Sequence, residues 1–484
     1  KLKGFWKSIN ISSGGIFIMG NSSDTIAAIS TPVGVGGISS VRISGSDAFD
    51  VAKKVFIPSC GRFPEGNGWR TLFGIATFED GEIIDEVIAT FMPSPKSYTR
   101  EDVVELSCHG GFVTVNQLLD AVLTAGARMA EPGEFTKRAY LNGRIDLFEA
   151  ESVLELINAK TERAKKDAID GLSGKSASAL HSMKEKILHI LVEIDASIDF
   201  PASEDDDMPD VSASEILPEI EDVVENLNNL ISKASEGVIL HNGVKVAITG
   251  RPNVGKSSLL NSILGMDRSI VSDISGTTRD TVEEAANIRG IPLRLIDTAG
   301  INDSCDPVEK IGVQRAISSV EKADLVLVVL DMSSTHNSDE FDYLKDVDPK
   351  RCIVVLNKSD LPHFVPQDVV TEIFSGEMPA GVIETSAVSG EGIEKLKDEI
   401  EKLAVKLASF VGEQSSSFSS RRLNCMKRTR HSLIEARSAA ISGTPIDLIS
   451  IDIRDALDAI GEITGETARE DVINQIFSQF CIGK

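Results

Sequence analysis

Apolar strands alternate with helical stretches in the middle of the chain. Short apolar runs at residues 244–249, 293–297, 325–330 and 352–356 are separated by segments with helical spacing. Strands that alternate with helices form parallel sheets with crossover connections, so this pattern indicates an α/β fold. We therefore predict an α/β domain over residues 243–407.

The segments on either side of this domain are helical. Before it, apolar side chains recur at steps of three and four residues, with long helices predicted at 177–198 and 214–235. Helices also come after it. Since neither set alone provides enough apolar surface for a core, we expect residues 145–242 and 408–484 to pack together. They would form one discontinuous, all-α domain into which the α/β domain is inserted.

The N-terminal part combines both patterns. Short strands are predicted at residues 25–29, 40–43 and 103–106, with a helical stretch after them. We therefore predict an α+β domain over residues 21–144. The first 20 residues differ in composition from the rest of the chain. The native chain is expected to start near Met19, and this segment is left out of the fold prediction.

The composition is that of an ordinary globular protein. Of 484 residues, 42% are apolar and 25% are charged, and at about 150 residues per domain the length fits roughly three domains. The longest apolar runs fall far short of the ~20 residues of a membrane helix. The six cysteines include no Cys-x-x-Cys pair, which argues against a zinc site and a disulfide framework. A reducing compartment, the cytoplasm, is therefore expected.

The net charge of −25 excludes a general basic surface for nucleic acid. Binding of RNA would need a local basic patch. The best candidate is a cluster of five basic residues within ten positions that contain no acidic residue. A solvated helix face is an equally good interpretation of this cluster. The cluster consists of Arg421, Arg422, Lys427, Arg428 and Arg430.

A phosphate-binding loop is the sharpest motif. Residues 250–257 read GRPNVGKS, which matches G-x4-G-K-[ST], and they come after an apolar strand and before a predicted helix. Gly250 and Gly255 let the backbone turn so that successive N–H groups point at phosphate oxygens. Lys256 is expected to contact the β- and γ-phosphates, and Ser257 to ligate Mg²⁺.

Three further motifs occur in the order of a GTPase. Residues 297–300 (DTAG) end a strand, so that Asp297 can hold Mg²⁺ through water and the Gly300 N–H can meet the γ-phosphate. Residues 357–360 (NKSD) end a later strand, and Asp360 can accept two hydrogen bonds from guanine but not from adenine. Ser386 and Ala387 would back the base. Together the motifs predict GTP as the nucleotide.

Two features lie between and after these motifs. Residues 276–280 (GTTRD) contain Thr278, whose hydroxyl is the chosen candidate to complete the Mg²⁺ shell, with Thr277 as its neighbour. Ile301 stands where Ras-like enzymes place the glutamine that orients the attacking water. Another polar residue must take that role. No motif identifies an arginine finger, so charge neutralisation is expected from a monovalent cation or a partner surface.

The chain resembles the MnmE (TrmE) family of tRNA-modification GTPases from residue 24 to residue 484. The resemblance rests on blocks outside the GTPase motifs as well as within them. These blocks are DTI at 24–26, RISG at 42–45, SYTREDVVEL at 97–106, HGG at 109–111, PGEF at 132–135, IDFP at 198–201, GEITGE at 461–466 and FCIGK at 480–484.

The resemblance implies a fold and a function. It implies an N-terminal tetrahydrofolate-binding domain that also forms a homodimer, a discontinuous helical domain and an inserted Ras-like GTPase domain. With the flavoprotein MnmG, as a heterotetramer, such enzymes modify carbon 5 of the wobble uridine of certain tRNAs to aminomethyl or carboxymethylaminomethyl uridine. Methylene-tetrahydrofolate is the expected one-carbon donor. GTP is the expected substrate, with Mg²⁺ and K⁺ as cofactors, and no membrane is involved.

The resemblance also implies roles for residues of the GTPase domain. Asn253, Ser272, Ile274 and Thr277 match the potassium ligands, and Glu309 matches the glutamate that positions the catalytic water. The catalytic assignments are Glu309, Lys256 and Thr278. The residues expected to contact GTP are Asn253, Val254, Gly255, Lys256, Ser257, Ser258, Ser272, Thr277, Thr278, Asp297, Thr298, Ala299, Gly300, Asn357, Lys358, Asp360, Ser386 and Ala387.

Four residues match family contacts to folate: Arg42, Glu105, Arg144 and Lys484. The alternative for Arg42 and Glu105 is a strand-edge ion pair without a ligand. Cys481 lies in the terminal block and is a candidate for a chemical role, whereas His109 is interpreted as structural.

Two other classes compete with this interpretation. A ribosome-assembly GTPase shares the phosphate loop and its asparagine, but lacks the folate blocks and the FCIGK ending. A signalling GTPase with a scaffold role is disfavoured because no lipid anchor or membrane segment is found.

Overall fold

The computed structural model describes residues 24–32, 34–63, 68–199, 213–265, 284–296, 317–335, 338–362, 368–414 and 418–484. These residues form two compact units. One unit holds the described residues up to Asp146 together with Glu470–Lys484, and the other holds those of Leu147–Arg469.

A seven-stranded sheet organises the first unit. Its strands run in the order β3-β4-β5-β6-β2-β1-β7, antiparallel except for the β1–β7 pair. The strands are β1 (Ile26–Ile29), β2 (Ile38–Ser44), β3 (Phe56–Pro58), β4 (Arg70–Thr77), β5 (Ile83–Met92), β6 (Val103–His109) and β7 (Arg128–Met129), and the first three helices are α1 (Ala48–Val55), α2 (Phe112–Thr124) and α3 (Glu134–Leu141).

Alternation along β6 assigns the two faces of this sheet. Val104, Leu106 and Cys108 point into a core that also holds apolar side chains of α1 and α2. Glu105 and Ser107 lie on the opposite face, because successive strand residues point to opposite sides. The predicted strands at 25–29, 40–43 and 103–106 are confirmed, each with a shift or an extension at its ends.

The α/β part of the second unit contains a six-stranded sheet in the order β13-β12-β11-β8-β10-β9. Only the β9–β10 pair is antiparallel, which confirms the predicted parallel sheet. Its strands are β8 (Val244–Thr249), β9 (Glu284–Ile288), β10 (Ile291–Leu295), β11 (Leu325–Asp331), β12 (Cys352–Asn357) and β13 (Gly381–Thr385). Helix α8 (Lys256–Leu264) comes after β8, residues 317–322 are helical, and α9 (Asp368–Ile373) precedes β13.

Long helices make up the remainder of the second unit. They are α4 (Leu147–Asn158), α5 (Glu162–Leu172), α6 (Lys175–Asp199), α7 (Ala213–Asn242), α10 (Ile393–Gln414), α11 (Phe418–Ile441) and α12 (Ile446–Thr464). One core joins helices from both sides of the α/β part, with Ile187 of α6, Leu227 of α7, Leu433 of α11 and Ile453 of α12 among its buried members. The expected packing of the two helical segments against each other is confirmed.

The last residues of the chain belong to the first unit. The sequence pattern grouped residues 470–484 with the second helical segment. In the structure, helix α13 (Glu470–Ser478) packs on α3, and the ring of Phe477 lies 6.1 Å from that of Tyr140. The buried Phe477 therefore ties the C-terminal segment to helix α3 of the N-terminal unit.

Two members of the basic cluster on α11 differ from both interpretations of it. Arg421 Nε donates to Glu151 Oε1 over 2.7 Å, and Arg422 pairs with Glu155. The side chains of both arginines are less than a fifth exposed. For these two residues, both the predicted contact with tRNA phosphates and the alternative of a solvated helix face are therefore wrong. The reason is that their acidic partners lie on α4, about 270 residues earlier, where no local charge pattern reveals them.

Candidate functional site

The phosphate-binding loop joins β8 to α8 with a series of left-handed backbone conformations. Gly250, Asn253 and Gly255 have φ angles of +147°, +64° and +95°. A Cβ atom at position 255 would lie 2.4 Å from Nδ2 of Asn357, so only glycine fits there. This backbone forms an anion-binding turn at the start of α8, where the helix dipole also favours negative charge.

Lys256 bends back over the loop. Its Nζ donates to the carbonyl oxygens of Gly250 at 2.9 Å and Arg251 at 2.7 Å. The ammonium group therefore stands over the turn that would hold the phosphates. Ser257 is half-buried in the first turn of α8, and Val254 is buried in the core. The loop has the geometry expected of its sequence.

Asn357 links three predicted motifs at the carboxyl end of the sheet. Its Nδ2 donates to the Val254 carbonyl oxygen at 2.8 Å. Its Oδ1 accepts from Thr385 Oγ1 at 3.3 Å and from the Ala387 N–H at 3.2 Å. Because Asn357 is 1% exposed, these hydrogen bonds form inside the protein. The phosphate loop and the segments expected to contact guanine are thus fixed relative to each other.

The predicted guanine-binding carboxylate is oriented by a serine. Ser386 Oγ donates to Asp360 Oδ1 at 2.6 Å. Ser386 is buried and Asp360 is exposed, so the hydroxyl fixes a carboxylate that faces solvent. This arrangement fits a carboxylate that accepts hydrogen bonds from a base.

Asp331 contacts a residue of the predicted guanine-binding motif, and the sequence analysis missed it. It ends β11, and its Oδ2 accepts from Lys358 Nζ at 2.6 Å while Oδ1 accepts from Ser333 Oγ at 2.6 Å. Burial alone would raise the pKa of Asp331, but these hydrogen bonds outweigh it and hold the pKa below its ordinary value. The ionised carboxylate therefore fixes Lys358 beside Asp360. An aspartate at the end of an apolar strand, as at position 297, was the available signal.

Several predicted residues lie outside the described residues. For these the roles in Mg²⁺, K⁺ and water binding remain predictions. They are Ser272, Ile274, Thr277, Thr278, Asp297, Thr298, Ala299, Gly300 and Glu309.

A second cluster lies in the N-terminal unit and contains the predicted folate residues. Arg42 on β2 is directly opposite Glu105 on β6, and its Nε donates to Glu105 Oε1 at 2.8 Å. Its Nη1 donates to the carbonyl oxygen of Gly483 at 3.3 Å, which places Lys484 beside the pair. Arg144 and Arg42 both lie over the ring of Tyr98. The structure therefore brings the four residues to one place.

The two other residues that the sequence analysis singled out in this unit, Cys481 and His109, are exposed. The carbonyl oxygen of Cys481 accepts from the Gly133 and Lys484 N–H groups at 3.4 and 3.3 Å, so its backbone anchors the C-terminal turn. His109 Nδ1 lies 2.8 Å from Asp85 Oδ1. A role in chemistry for the Cys481 thiol remains a prediction. In the described parts of the chain, each helix is too short or too polar to cross a membrane.

Comparison with protein families covers both units. Residues 25–144 match the model described as the N-terminus of the GTP-binding protein TrmE, and residues 147–481 match the MnmE helical domain, which is more than half of the chain. The chain belongs to the MnmE (TrmE) family. Curated MnmE relatives match over nearly their full length, so the family assignment covers the whole described architecture.

Individual relatives support the same conclusion. The tRNA modification GTPase MnmE of Lacticaseibacillus paracasei is 44% identical over 467 residues, covering 95% of this chain and 98% of that protein. The MnmE proteins of Streptococcus thermophilus and Geobacillus kaustophilus are 43% and 42% identical, over 95% of this chain and 98% and 99% of those proteins. The chain is therefore a GTP hydrolase of a tRNA-modification family, with GTP as its substrate. The matched N-terminal domain argues against the ribosome-assembly alternative.

Proposed function

We propose that this MnmE-family chain is a potassium-activated GTPase that works with the flavoprotein MnmG on tRNA. The reaction adds an aminomethyl or carboxymethylaminomethyl group to carbon 5 of the wobble uridine, with methylene-tetrahydrofolate as one-carbon donor. The active form is a homodimer made through the N-terminal domain. The observation that carries this proposal is that one chain contains both the phosphate loop fixed by Asn357 and the cluster of Arg42, Glu105 and Arg144.

The N-terminal cluster fits a reduced folate by its chemistry. A carboxylate such as Glu105 suits the amino edge of a pteridine, and guanidinium groups suit the carboxylates of the folate tail. The side chains of Arg42 and Glu105 are 17% and 33% exposed, so both are partly desolvated yet accessible. Arg42, Glu105, Arg144 and Lys484 would hold the folate, which supplies the one-carbon unit when bound.

The phosphate loop fits a magnesium-bound nucleoside triphosphate. Lys256 would contact the β- and γ-phosphates, and the Ser257 hydroxyl would ligate Mg²⁺ together with Thr278. In this proposal Glu309 orients the attacking water in place of the missing glutamine. Each of these side chains acts by position and charge, which is the main contribution of proteins to phosphoryl transfer.

Asn253 fits a potassium ligand by its exposure and backbone. Its φ of +64° is a conformation that asparagine tolerates better than most residues, and its side chain is exposed at the loop. Ser272, Ile274 and Thr277 would complete the K⁺ site. A cation there would neutralise charge that an arginine finger neutralises in other GTPases.

Hydrolysis of GTP in K⁺ and Na⁺ buffers of equal ionic strength tests the GTPase part of the proposal. We expect strong stimulation by K⁺ that is lost in Asn253→Ala, and near-complete loss of turnover in Glu309→Ala with GTP binding retained. Asn226→Ala is the control, because Asn226 is an exposed asparagine on α7. Equal rates in the two salts would refute potassium activation.

Modification of tRNA tests the remaining part. The chain, MnmG, GTP, methylene-tetrahydrofolate and unmodified tRNA would be incubated together, and the wobble nucleoside analysed by mass spectrometry. We expect the modified nucleoside with the wild-type chain and a large loss of product with Arg42→Ala. Product formed equally well without the folate would contradict the assigned one-carbon donor.

A further inference from the structure

Tyr98 lies beneath two of the arginines assigned to folate. The Cζ atom of Arg144 is 4.5 Å from the centre of the Tyr98 ring, and that of Arg42 is 5.7 Å from it. Both distances are within the ~6 Å range of cation–π attraction. The sequence placed Tyr98 in a family block but gave it no function.

Hydrogen bonds made by Tyr98 and by its two sequence neighbours hold this ring in place. The Tyr98 hydroxyl is 3.0 Å from Oγ1 of Thr136, which is fully buried on α3. The neighbours of Tyr98 are buried too: Ser97 Oγ donates to the Glu101 carbonyl oxygen at 2.5 Å, and Thr99 Oγ1 is 2.7 Å from Ser44 Oγ. The ring is therefore a rigid platform and not a surface side chain free to rotate.

The turn after α3 brings Arg144 to this platform. Gly143 has a φ of +67°, and the Arg144 N–H donates to the Ala139 carbonyl oxygen at 2.9 Å. Asn142 Nδ2 donates to the Thr99 carbonyl oxygen at 2.7 Å. The segment that carries Arg144 is thus tied to the segment that carries Tyr98. Because the side chain of Arg144 is exposed, we infer that its contact with the Tyr98 ring is what orders its guanidinium group.

Arg42 reaches the same ring from the sheet. Its guanidinium is held by Glu105 and by the Gly483 carbonyl oxygen, and it also lies 5.6 Å from the centre of the Phe135 ring. Two guanidinium groups that share one ring repel each other, and this repulsion disfavours their convergence. The negative face of the ring attracts both groups and offsets part of that cost.

We propose that Tyr98 is a positioning residue that holds Arg42 and Arg144 ready for a reduced folate. This inference rests on the proposed function, because it assumes that the cluster binds folate. The ring acts through the two arginines, by lowering the cost of ordering them before the ligand binds. Removal of the aromatic face should therefore weaken binding even though every charged group remains.

Equilibrium binding of 5-formyl-tetrahydrofolate to the full chain, measured by calorimetry, is the primary test. We expect Tyr98→Leu to weaken binding about tenfold, the effect of losing one cation–π contact of moderate strength. Tyr98→Phe keeps the ring and loses only the hydrogen bond to Thr136, so its binding should lie closer to that of the wild type than to that of Tyr98→Leu. Phe112→Leu is the matched control, because Phe112 is an exposed aromatic residue at the start of α2 in the same unit, and its binding should not change.

A double-mutant cycle separates positioning from a general effect on the fold. Arg144→Ala should weaken binding clearly in the wild type, but only slightly when Tyr98 is already leucine. Equal effects of Arg144→Ala in both backgrounds would overturn the proposal. Tyr98→Met is a second non-aromatic variant to be used in the same cycle if circular dichroism shows that Tyr98→Leu has lost its fold.

The failures of the two proposals are distinguishable. If wild-type protein does not bind the folate, the proposed folate site is wrong and this inference falls with it. If the wild type binds and Arg42→Ala does not, while Tyr98→Leu binds as well as the wild type, the folate site stands and the role of Tyr98 is refuted. Equally weak binding by Tyr98→Phe and Tyr98→Leu would assign the effect to the hydroxyl and refute positioning by the ring.

Discussion

The side-chain amide of Asn357 donates a hydrogen bond to the backbone carbonyl oxygen of Val254 over 2.8 Å. This bond joins the end of β12 to the phosphate loop, 103 residues earlier in the chain. It makes the shape of the loop depend on the same residue that begins the guanine-recognition motif. The phosphate loop and the segment expected to contact guanine therefore form one structural unit in this protein.

Replacement of Asn357 by alanine should loosen the phosphate loop. The variant leaves the buried Val254 carbonyl oxygen and the Ala387 N–H without this partner, which costs about 1–3 kcal/mol of stability for each orphaned group. We expect a GTP affinity about tenfold lower, measured by titration with a fluorescent GTP analogue. Asn226→Ala removes an exposed amide and serves as control. Unchanged affinity in Asn357→Ala would show that the bond does not shape the site.

Asp360→Asn should change the base that the enzyme accepts. The side-chain oxygen can still accept from Ser386, so the local fold is retained. The new amide donates a hydrogen bond where the carboxylate accepted one, which suits the carbonyl of xanthine and opposes the amino group of guanine. We expect GTP affinity to fall roughly a hundredfold and xanthosine triphosphate to be hydrolysed instead. Asp342→Asn, at an exposed aspartate, should leave the preference for GTP intact.

Glu155→Gln should destabilise the second unit. The Glu155 carboxylate accepts from Ser419 Oγ at 2.6 Å, pairs with Arg422 and lies 3.8 Å from His241 Nε2. It thus joins α4 to the two helices that flank the α/β part in the sequence. These are α7, which ends just before that part, and α11, which begins after it. Loss of its charge leaves the buried Arg422 undercompensated, which costs about 3 kcal/mol.

Urea denaturation followed by circular dichroism checks this expectation. Glu162→Gln is the matched control, since Glu162 is 91% exposed and its pair with Lys165 is long at 3.5 Å. Such an exposed pair contributes at most about 1 kcal/mol. Equal midpoints for the two variants would mean that the buried network around Glu155 adds no stability.

The pair of Asp85 and His109 should make stability depend on pH. Burial raises the pKa of Asp85, but hydrogen bonds from the backbone and ring of His109 outweigh it and lower that pKa below 3.8. The hydrogen bond to Asp85 raises the pKa of His109 above 6.5. The stabilisation from His109 is complete below pH 6.5 and is lost as pH rises through its raised pKa. That from Asp85 is present above pH 3.8 and is lost as pH falls through its lowered pKa.

The two effects define a window between about pH 4 and pH 6.5 in which the pair stabilises the fold most. We expect the melting temperature of the wild type to exceed that of Asp85→Asn by the largest margin near about pH 5, and by a smaller margin at about pH 8. His109→Gln should give the same profile, because either change removes the pair. A margin that is constant with pH would contradict the assigned ion pair.

The motifs that bind nucleotide were predictable because their chemistry is local. A loop that cradles phosphate needs glycines and a lysine at fixed short spacings, and the strand before it and the helix after it are visible in the hydrophobic pattern. The same pattern predicted the parallel sheet. The strand β10 was predicted, but its antiparallel partner β9 was not, because a short strand at the edge of a sheet carries a weak signal.

Contacts between distant segments were not predictable in the same way. Arg421 and Arg422 lie in a run of basic residues, yet Glu151 and Glu155 on α4 neutralise their charges. Asp331 escaped notice because its partner Lys358 lies just past the next strand of the sheet, 27 residues later. In both cases the charge balance depends on which helices and strands are neighbours.

Short-range spacing and the period of apolar residues were enough to predict the parallel sheet, the helices on either side of it and the residues of the phosphate loop, and the resemblance of sequence blocks pointed to the family. Three other relationships emerged only from the folded chain: Asn357 fixes Val254, two arginines converge on Tyr98, and α13 packs on α3 of the N-terminal unit. Such contacts need a whole folded core to bring their partners within hydrogen-bond or van der Waals distance. No single stretch of sequence contains that information.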